Sequence, residues 1–533
     1  MKAMNTWLVR ISLCLFLGVL AGCSLPSLEG RSVSQALSAE EAHATALGRA
    51  LAPQVQAHPG MSGIYSLADA HDAYAARVLL ARAAEKTLDV QCYIWHGDVT
   101  GTLLLHELLV AADRGVRVRL LLDDNGTSGL DSQLAALNSH PNIEVRLFNP
   151  FVVRSPKIIG YFTDFKRVNR RMHNKSFTAD NQATIIGGRN VGDEYFGASS
   201  MLFADLDVLA VGPVVDDLSK DFDQYWASES SYPVDLLLPA PDQLSLANLK
   251  TVGEDTAAAA AAVQYTEAVQ RSKFLAGLLA KSTEFEWAKT TMLSDDPAKG
   301  LGKATKNSML ISQLGDMLGK PAKSVDLVSP YFVPTAAGVE VFANMVNEGV
   351  RVRVLTNSLD ATDVAVVHAG YVKHREDLLA AGIQLWEMQG GGNGGGGLGL
   401  GSGSGGKISA GSSGGGGSAP FGSSGSSLHA KTFAVDEKRV FVGSLNFDPR
   451  STIFNTELGF IIESPRMARE IEVAFNKDIP DTAYEVKLSE SGSVYWIEKR
   501  DGQSIRHDTE PESGVMKRSI VWVLSKLPIE RML

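Results

Sequence analysis

The chain has 533 residues, 44% of them hydrophobic, and a formal net charge of −10. That is enough apolar chain for two core-forming lobes, and the acidic balance argues against a general nucleic-acid binder, which presents a basic surface. Three cysteines without zinc-like Cys/His spacing point away from a metal module.

Residues 1–22 read as a targeting segment. Lys2 and Arg10 flank an apolar run, 11–20, that is too short to span a bilayer as a mature helix. It ends in Leu20-Ala21-Gly22-Cys23, which resembles a bacterial lipobox. The implied chemistry is cleavage before Cys23 and acylation of Cys23, which anchors the chain through two or three acyl groups. An uncleaved anchor and a plain secretory signal are the alternatives. With Cys14 lost and Cys23 lipidated, only Cys92 remains and no intramolecular disulfide can form. Residues 23–62, Ala-rich and polar, read as a lipidated, partly helical tether.

A first lobe is expected over 63–235. Apolar spacing predicts helices over 73–86, 103–112 and 132–137, and strands over 88–95, 116–124 and 143–148. The alternation predicts an α/β layered fold. Residues 236–291 read as an interlobe excursion with helices at 257–262 and 274–279. A second lobe, 292–480, repeats the order. Glu348-Gly349-Val350-Arg351-Val352-Arg353 matches Arg114-Gly115-Val116-Arg117-Val118-Arg119, and 383–386 matches 143–146. So long a period means duplication of a whole domain. An insert at 390–427 has 19 glycines in 38 residues; it cannot bury enough apolar surface to fold and reads as a flexible loop. Residues 481–533 form a C-terminal extension, with a small antiparallel addition near 485–506. Its apolar run at 519–527, next to Lys517, Arg518 and Lys526, either lies at a membrane surface or packs on the body.

The chemistry sits in two copies of one motif, His-x-Lys-x4-Asp: His173, Lys175 and Asp180, then His429, Lys431 and Asp436. Each copy continues at the same interval into a turn ending in Asn, at Asn190 and Asn446. In extended chain, residues two apart share a face, so each His and Lys project together. A histidine beside a fixed cation suits attack on a phosphate ester. A basic run between the lobe-one strands and His173 (Lys157, Lys166, Arg167, Arg170 and Arg171) is either a solvated face or a contact for an anionic headgroup.

This double pattern resembles the phospholipase D superfamily and, within it, the bacterial cardiolipin synthases of the C type; residues 172–196, 203–213 and 429–460 carry most of the likeness. The resemblance implies two pseudo-symmetric phospholipase D-like α/β/α sandwich lobes, with one active site at their interface and full competence in a single chain. It implies a phosphatidyltransferase that joins phosphatidylglycerol to a second phospholipid, with phosphatidylethanolamine as a candidate donor, through a phosphohistidine on His173. Lys175, Lys431, Asn190 and Asn446 would hold phosphate oxygens, and Ser444 would add a hydroxyl where the first lobe has Gly188. Glu457 would orient the histidine of the second lobe and Asp205 that of the first, with Asp207, on the same side, in reserve, and with the motif aspartates more structural than the rest of the set. No metal or other cofactor is expected, since lysines and asparagines take the oxyanion role. The expected location is the bacterial envelope, anchored and facing the periplasm. A phospholipase D hydrolase, a phosphodiesterase acting on nucleic acid and a non-catalytic envelope lipoprotein are the alternative readings.

Overall fold

The computed structural model describes residues 24–197, 203–272, 277, 283–362, 364–390, 427–528 and 530. The signal, Cys23 and nearly all of the glycine-rich insert therefore lie outside the described residues, as does most of the helix expected at 274–279.

Two mixed sheets carry the lobes. The first runs, edge to edge, Glu286–Ala288, Ser62–Leu67, Asp207–Val211, Ala183–Gly187, Ser176–Ala179, Thr87–Ile94, Arg117–Gly126, Ile143–Phe148 and Ser231–Pro233. The second runs Thr290–Ser294, Leu458–Ile462, Arg439–Gly443, Thr432–Val435, Ser324–Val328, Arg351–Asn357, Gln384–Met388, Ala483–Leu488, Val494–Arg500 and Gln503–His507. From Ser62–Leu67 to Ser231–Pro233 in one, and from Thr290–Ser294 to Ala483–Leu488 in the other, the order is the same. In each, three consecutive strands are parallel, as crossover helices require.

Side chains alternate between the two faces of each sheet. In Arg117–Gly126, Leu120 and Leu122 enter one core with the helices Ala70–Ala83 and Val99–Asp113, while Leu121 enters another with Phe222 and Trp226 of the helix Pro213–Ala227. A third cluster joins the lobes: Ile64, Ile186, Val208 and Ala210 of the first sheet share it with Val440, Val442, Phe460 and Ile462 of the second. The two sheets thus bury a common apolar face.

The expected tether is corrected over its C-terminal part. Ser38 and Glu41 form a capping box on the helix Ala39–His43, and Thr45 caps Ala46–Ala57. Leu47 and Leu51 enter the first-lobe core. Arg31 donates to the carbonyls of Ser228 and Ser231, at 2.7 and 3.0 Å, so this segment is bound to the lobe. The interlobe excursion is also drawn in. Ser245–Ala258 and Val263–Arg271 pack on Val99–Asp113 and Ala70–Ala83. The chain changes lobes at Lys289, between strands of the two sheets. The C-terminal addition continues the second sheet, since Ala483–Leu488 pairs with Gln384–Met388.

Candidate active site

The motif strands Ser176–Ala179 and Thr432–Val435 pair antiparallel with Thr87–Ile94 and Ser324–Val328. Both catalytic-candidate pairs stand just before these strands, where the chain touches the other lobe. Met172 bridges Thr456: the His173 N–H donates to the Thr456 carbonyl and the Thr456 N–H to that of Arg171, each at 2.9 Å. Ser427–Leu428 pairs in parallel with Phe203–Ala204. Each bridge sets the following residues opposite one another. His173 Nδ1 lies 2.8 Å from Glu457 Oε2, and His429 Nδ1 lies 2.6 Å from Asp205 Oδ2.

The carboxylate partners are therefore crossed. The expectation that Asp205 serves the first-lobe histidine and Glu457 the second is overturned, because interlobe backbone bridges deliver each carboxylate to the opposite lobe. His173 Nδ1 is also 3.2 Å from the Ser444 carbonyl. A carbonyl only accepts, so Nδ1 carries the proton and Nε2 keeps its lone pair.

The two halves differ electrostatically. Burial, Lys175 and Lys431 hold His173 well below its ordinary value. Burial and Lys431 bring His429 down to about 4, against the pull of Asp205. Both imidazoles are thus neutral near pH 7. Burial alone would raise Asp205, but the charge and hydrogen bond of His429, with Lys431 and Arg189, hold it well below the carboxylate range. Burial pushes Glu457 up to about 7, with Lys175 and Ser444 opposing. Burial likewise lowers Lys175 to about 7, against the attraction of Glu457.

Ser444 works against this asymmetry. Its hydroxyl donates to Glu457 Oε2 at 2.5 Å. At Gly188 in the first lobe, an added Cβ would stand 2.1 Å from Asp205 Oδ1, so Asp205 occupies the space a serine would need.

Lys175 and Lys431 are buried and fold back toward their own histidines: Lys175 Nζ is 2.5 Å from the His173 carbonyl, and Lys431 Nζ is 3.0 Å from His429 Nδ1. Asn190 accepts from the Ile94 N–H at 3.2 Å, which leaves its buried Nδ2 without a protein partner; Asn446 Oδ1 is unpartnered too. Such buried polar groups suit a ligand rich in hydrogen-bonding atoms.

Asp180 and Asp436, grouped with the catalytic motif but expected to be its more structural members, stand apart from this group. Asp180 accepts the N–H groups of Glu85, Lys86 and Thr87, and Asp436 those of Ala322, Lys323 and Ser324. Both sit in left-handed backbone at the far ends of the motif strands, φ 51° and 56°, and fasten the entrance of the neighbouring strand. Much of the basic run is also committed internally. Arg171 is buried against Asp123 and the Asn149 carbonyl, Lys157 pairs with Asp124, and Arg167 with Asp164.

Several site residues were not found from sequence. Tyr93 meets His173 edge to face at 4.8 Å, and Tyr195 meets His429 at 5.2 Å. Asp295 accepts the Glu457 N–H at 2.9 Å and is itself held by buried Lys299. Arg189 donates to the Asp205 carbonyl at 2.8 Å and pairs with Asp207. The only sequence signal of Tyr195 and Arg189 is position: Tyr195 follows Asn190 by five residues and Arg189 precedes it. Asp207, the reserve for a histidine, pairs with Arg77 and Arg189 instead. Among the described residues, one His/Asp/Glu cluster could hold a metal ion, His96, Asp98 and Glu194. Its donors already serve other bonds, with His96 on Glu194 at 3.1 Å and Asp98 capping Val99–Asp113.

Comparison with known proteins matches both lobes. Residues 79–226 and 314–479 fit the family model described as cardiolipin synthase, PLD-like domain. Cardiolipin synthase C of Escherichia coli (strain K12) is 46% identical over 488 residues, covering 91% of this chain and 99% of that protein. Cardiolipin synthase A of Pseudomonas entomophila (strain L48) is 25% identical, covering 88% of this chain and 79% of its own. The crystal structure of a phosphatidylserine synthase from Haemophilus influenzae superposes with a TM-score of 0.56 at 14% identity, over 91% of this chain and 100% of its own. At that identity the likeness concerns the fold.

Proposed function

The chain belongs to the phospholipase D-like cardiolipin synthase family, and from that membership we propose that it makes cardiolipin by phosphatidyl transfer, with phosphatidylglycerol as acceptor and a second phospholipid, phosphatidylethanolamine or phosphatidylglycerol, as donor. The observation that carries this reading is the crossed pairing, in which two neutral histidines, each on the other lobe's carboxylate, share a buried basic centre.

In the first step the His173 Nε2 lone pair attacks the donor phosphorus, while Glu457 takes up the charge that develops on the ring through Nδ1–H. The bond to the headgroup oxygen breaks, and His429 gives that oxygen a proton. The bound phosphodiester is anionic, which raises His429 from its depressed resting state and lets it act as the acid. Lys175, Lys431, Asn190 and Asn446 hold the oxygens of the crowded phosphorus. In the second step His429 takes the proton of a glycerol hydroxyl of phosphatidylglycerol. That oxygen attacks, the P–N bond breaks, and His173 returns to its starting state with cardiolipin formed. Water in the same position would give phosphatidic acid.

The wider assignment follows the sequence: an envelope protein held at a membrane through lipidated Cys23, facing the periplasm and competent as a monomer. The presence of both half-sites in one chain supports the last point. Product analysis tests the function. Purified protein with mixed phosphatidylglycerol and phosphatidylethanolamine is expected to yield cardiolipin as the main product. Phosphatidic acid alone would make it a hydrolase.

A further inference from the structure

Two exposed apolar patches flank the site. In the first sheet the parallel strands Thr87–Ile94, Arg117–Gly126 and Ile143–Phe148 end on the edge that holds the site: Tyr93 meets His173, and the Asp123 carboxylate accepts the Met172 N–H at 2.8 Å. The chain leaving Ile143–Phe148 forms the short helices Ile158–Thr163 and Phe165–Val168 over this edge, tied down where Tyr161 donates to Asn125 at 3.0 Å. Their outer side carries Ile158, Ile159, Phe162 and Phe165, with Phe162 85% exposed.

The second sheet has a counterpart at the equivalent edge. Asn357, ending Arg351–Asn357, bonds both the N–H and the carbonyl of Leu428, beside His429. The helix Val515–Ser525 packs there, through Val521 and Leu524, on Val333, Leu359 and Ala369. Its other face carries Val515, Met516, Trp522 and Val523, and Leu527 lies just beyond; Met516 is 77% and Trp522 64% exposed. The expected choice between packing and a membrane surface is thus resolved into one face for packing and one apolar face outward.

We propose that these two patches are a membrane-docking surface, which seats the mouth of the site on an anionic phospholipid bilayer. Two observations favour a bilayer over a protein partner. Both patches lie on the site edges of their sheets, so one plane can meet both. Lys166 and Lys526 are exposed beside them, and Lys526 stands 6.0 Å over the Trp522 ring, in a chain whose net charge is −10; cations beside aromatic and aliphatic side chains fit the interface of an anionic leaflet. The exposure of several large apolar side chains together marks an interaction surface of either kind. The inference rests on the lipid-substrate reading. A tether at Cys23 sets only distance from the membrane; these patches would set orientation.

The test uses the full, lipidated chain in phosphatidylglycerol–phosphatidylethanolamine vesicles, where attachment is already ensured. Lipids brominated on the acyl chains should quench at least half of the Trp522 emission, taken as the difference from Trp522→Phe. Phe162→Ser and Trp522→Ser should lower kcat/KM on vesicle lipid about tenfold or more, with thermal unfolding unchanged and the rate on monomeric short-chain phospholipid retained. Unquenched Trp522, as when a second copy covers the helix, overturns the proposal. So does an unchanged vesicle rate, or an equal loss on monomeric lipid, which would put these side chains in the catalytic body. Failure of the wild type to turn over either lipid refutes the function instead, and leaves the quenching result to be judged by itself.

Discussion

Replacing Glu457 by Gln keeps the shape of the His173 partner and removes its charge. In the wild type, burial holds Glu457 at about 7 and Lys175 at about 7. Activity requires Glu457 ionised, to stabilise the imidazolium-like ring during attack, and Lys175 protonated, to hold the phosphate. The carboxyl loses its charge as pH falls through 7 and the lysine loses its charge as pH rises through 7. The profile of kcat/KM, which reports the free enzyme, should therefore be a narrow bell centred near pH 7. In Glu457→Gln the acid limb has no carboxyl to titrate and disappears from the range near 7, leaving only protonation of the nucleophile His173, which burial, Lys175 and Lys431 hold well below its ordinary value. The basic limb still belongs to Lys175 but moves below 7, because the attraction of Glu457 that held the lysine up is lost. The maximum also falls, since a hydrogen bond to a charged group contributes about 1.5–3 kcal/mol, or roughly 10- to 150-fold in rate. Asp205→Asn is the control: it weakens His429 but leaves Glu457 in place, so it should retain the acid limb near 7. The assay is radiolabelled phospholipid turnover from pH 4 to 9. An acid limb that survives in Glu457→Gln, or vanishes in Asp205→Asn, would refute the crossed pairing as the functional one.

Other outcomes follow from the same geometry. His173→Ala and His429→Ala should each reduce turnover by at least about 100-fold with the fold kept, as circular dichroism and product assay would show; wild-type-like cardiolipin formation by either would sink the two-histidine mechanism. Asp180→Asn should cost about 2–3 kcal/mol of stability, since hydrogen bonds to a charged acceptor are lost, while the folded fraction keeps its activity; a stable but inactive variant would return Asp180 to the chemistry. Excess EDTA should leave the rate nearly unchanged, and activity restored only by a divalent ion would contradict the assignment of the phosphate oxygens to Lys175 and Lys431. Replacing 390–422 by a short Gly/Ser bridge should change stability by about 1 kcal/mol or less and retain transfer, read by thermal unfolding beside a product assay; total loss of both cardiolipin and phosphatidic acid would make the insert part of the site.

Much of this site was legible because its residues repeat. The two His-x-Lys pairs and their asparagines share one spacing, and the interior strands are continuous apolar runs; Ile143–Phe148 has the bounds its sequence predicts. The crossing of Asp205 and Glu457 was hidden, since motif order places each carboxylate in a lobe but does not say which histidine it meets. That is decided by bridges such as Met172 with Thr456, between residues 284 positions apart at the hydrogen bond they set up. The packing of the N-terminal segment was missed for another reason. Its alanine-rich composition reads as a partly helical tether, and the helices are there; that they pack on the lobe was signalled by the Ser38-x-x-Glu41 cap and the Leu47–Leu51 spacing. Asp295 and Lys299 could be found only in space, because Asp295, just beyond a different strand, accepts the Glu457 N–H and Lys299 holds Asp295.

The central claim is a covalent phosphatidyl group on His173, formed and discharged within one composite site. A pulse of phosphatidylglycerol labelled with 32P, acid-labile trapping, and peptide mapping measure it directly. Label should appear on the peptide containing His173, be absent in His173→Ala, and pass into cardiolipin when unlabelled phosphatidylglycerol is added as a chase. Label on His429 would reverse the two roles, and cardiolipin formed at full rate with no protein-bound label would contradict the two-step mechanism.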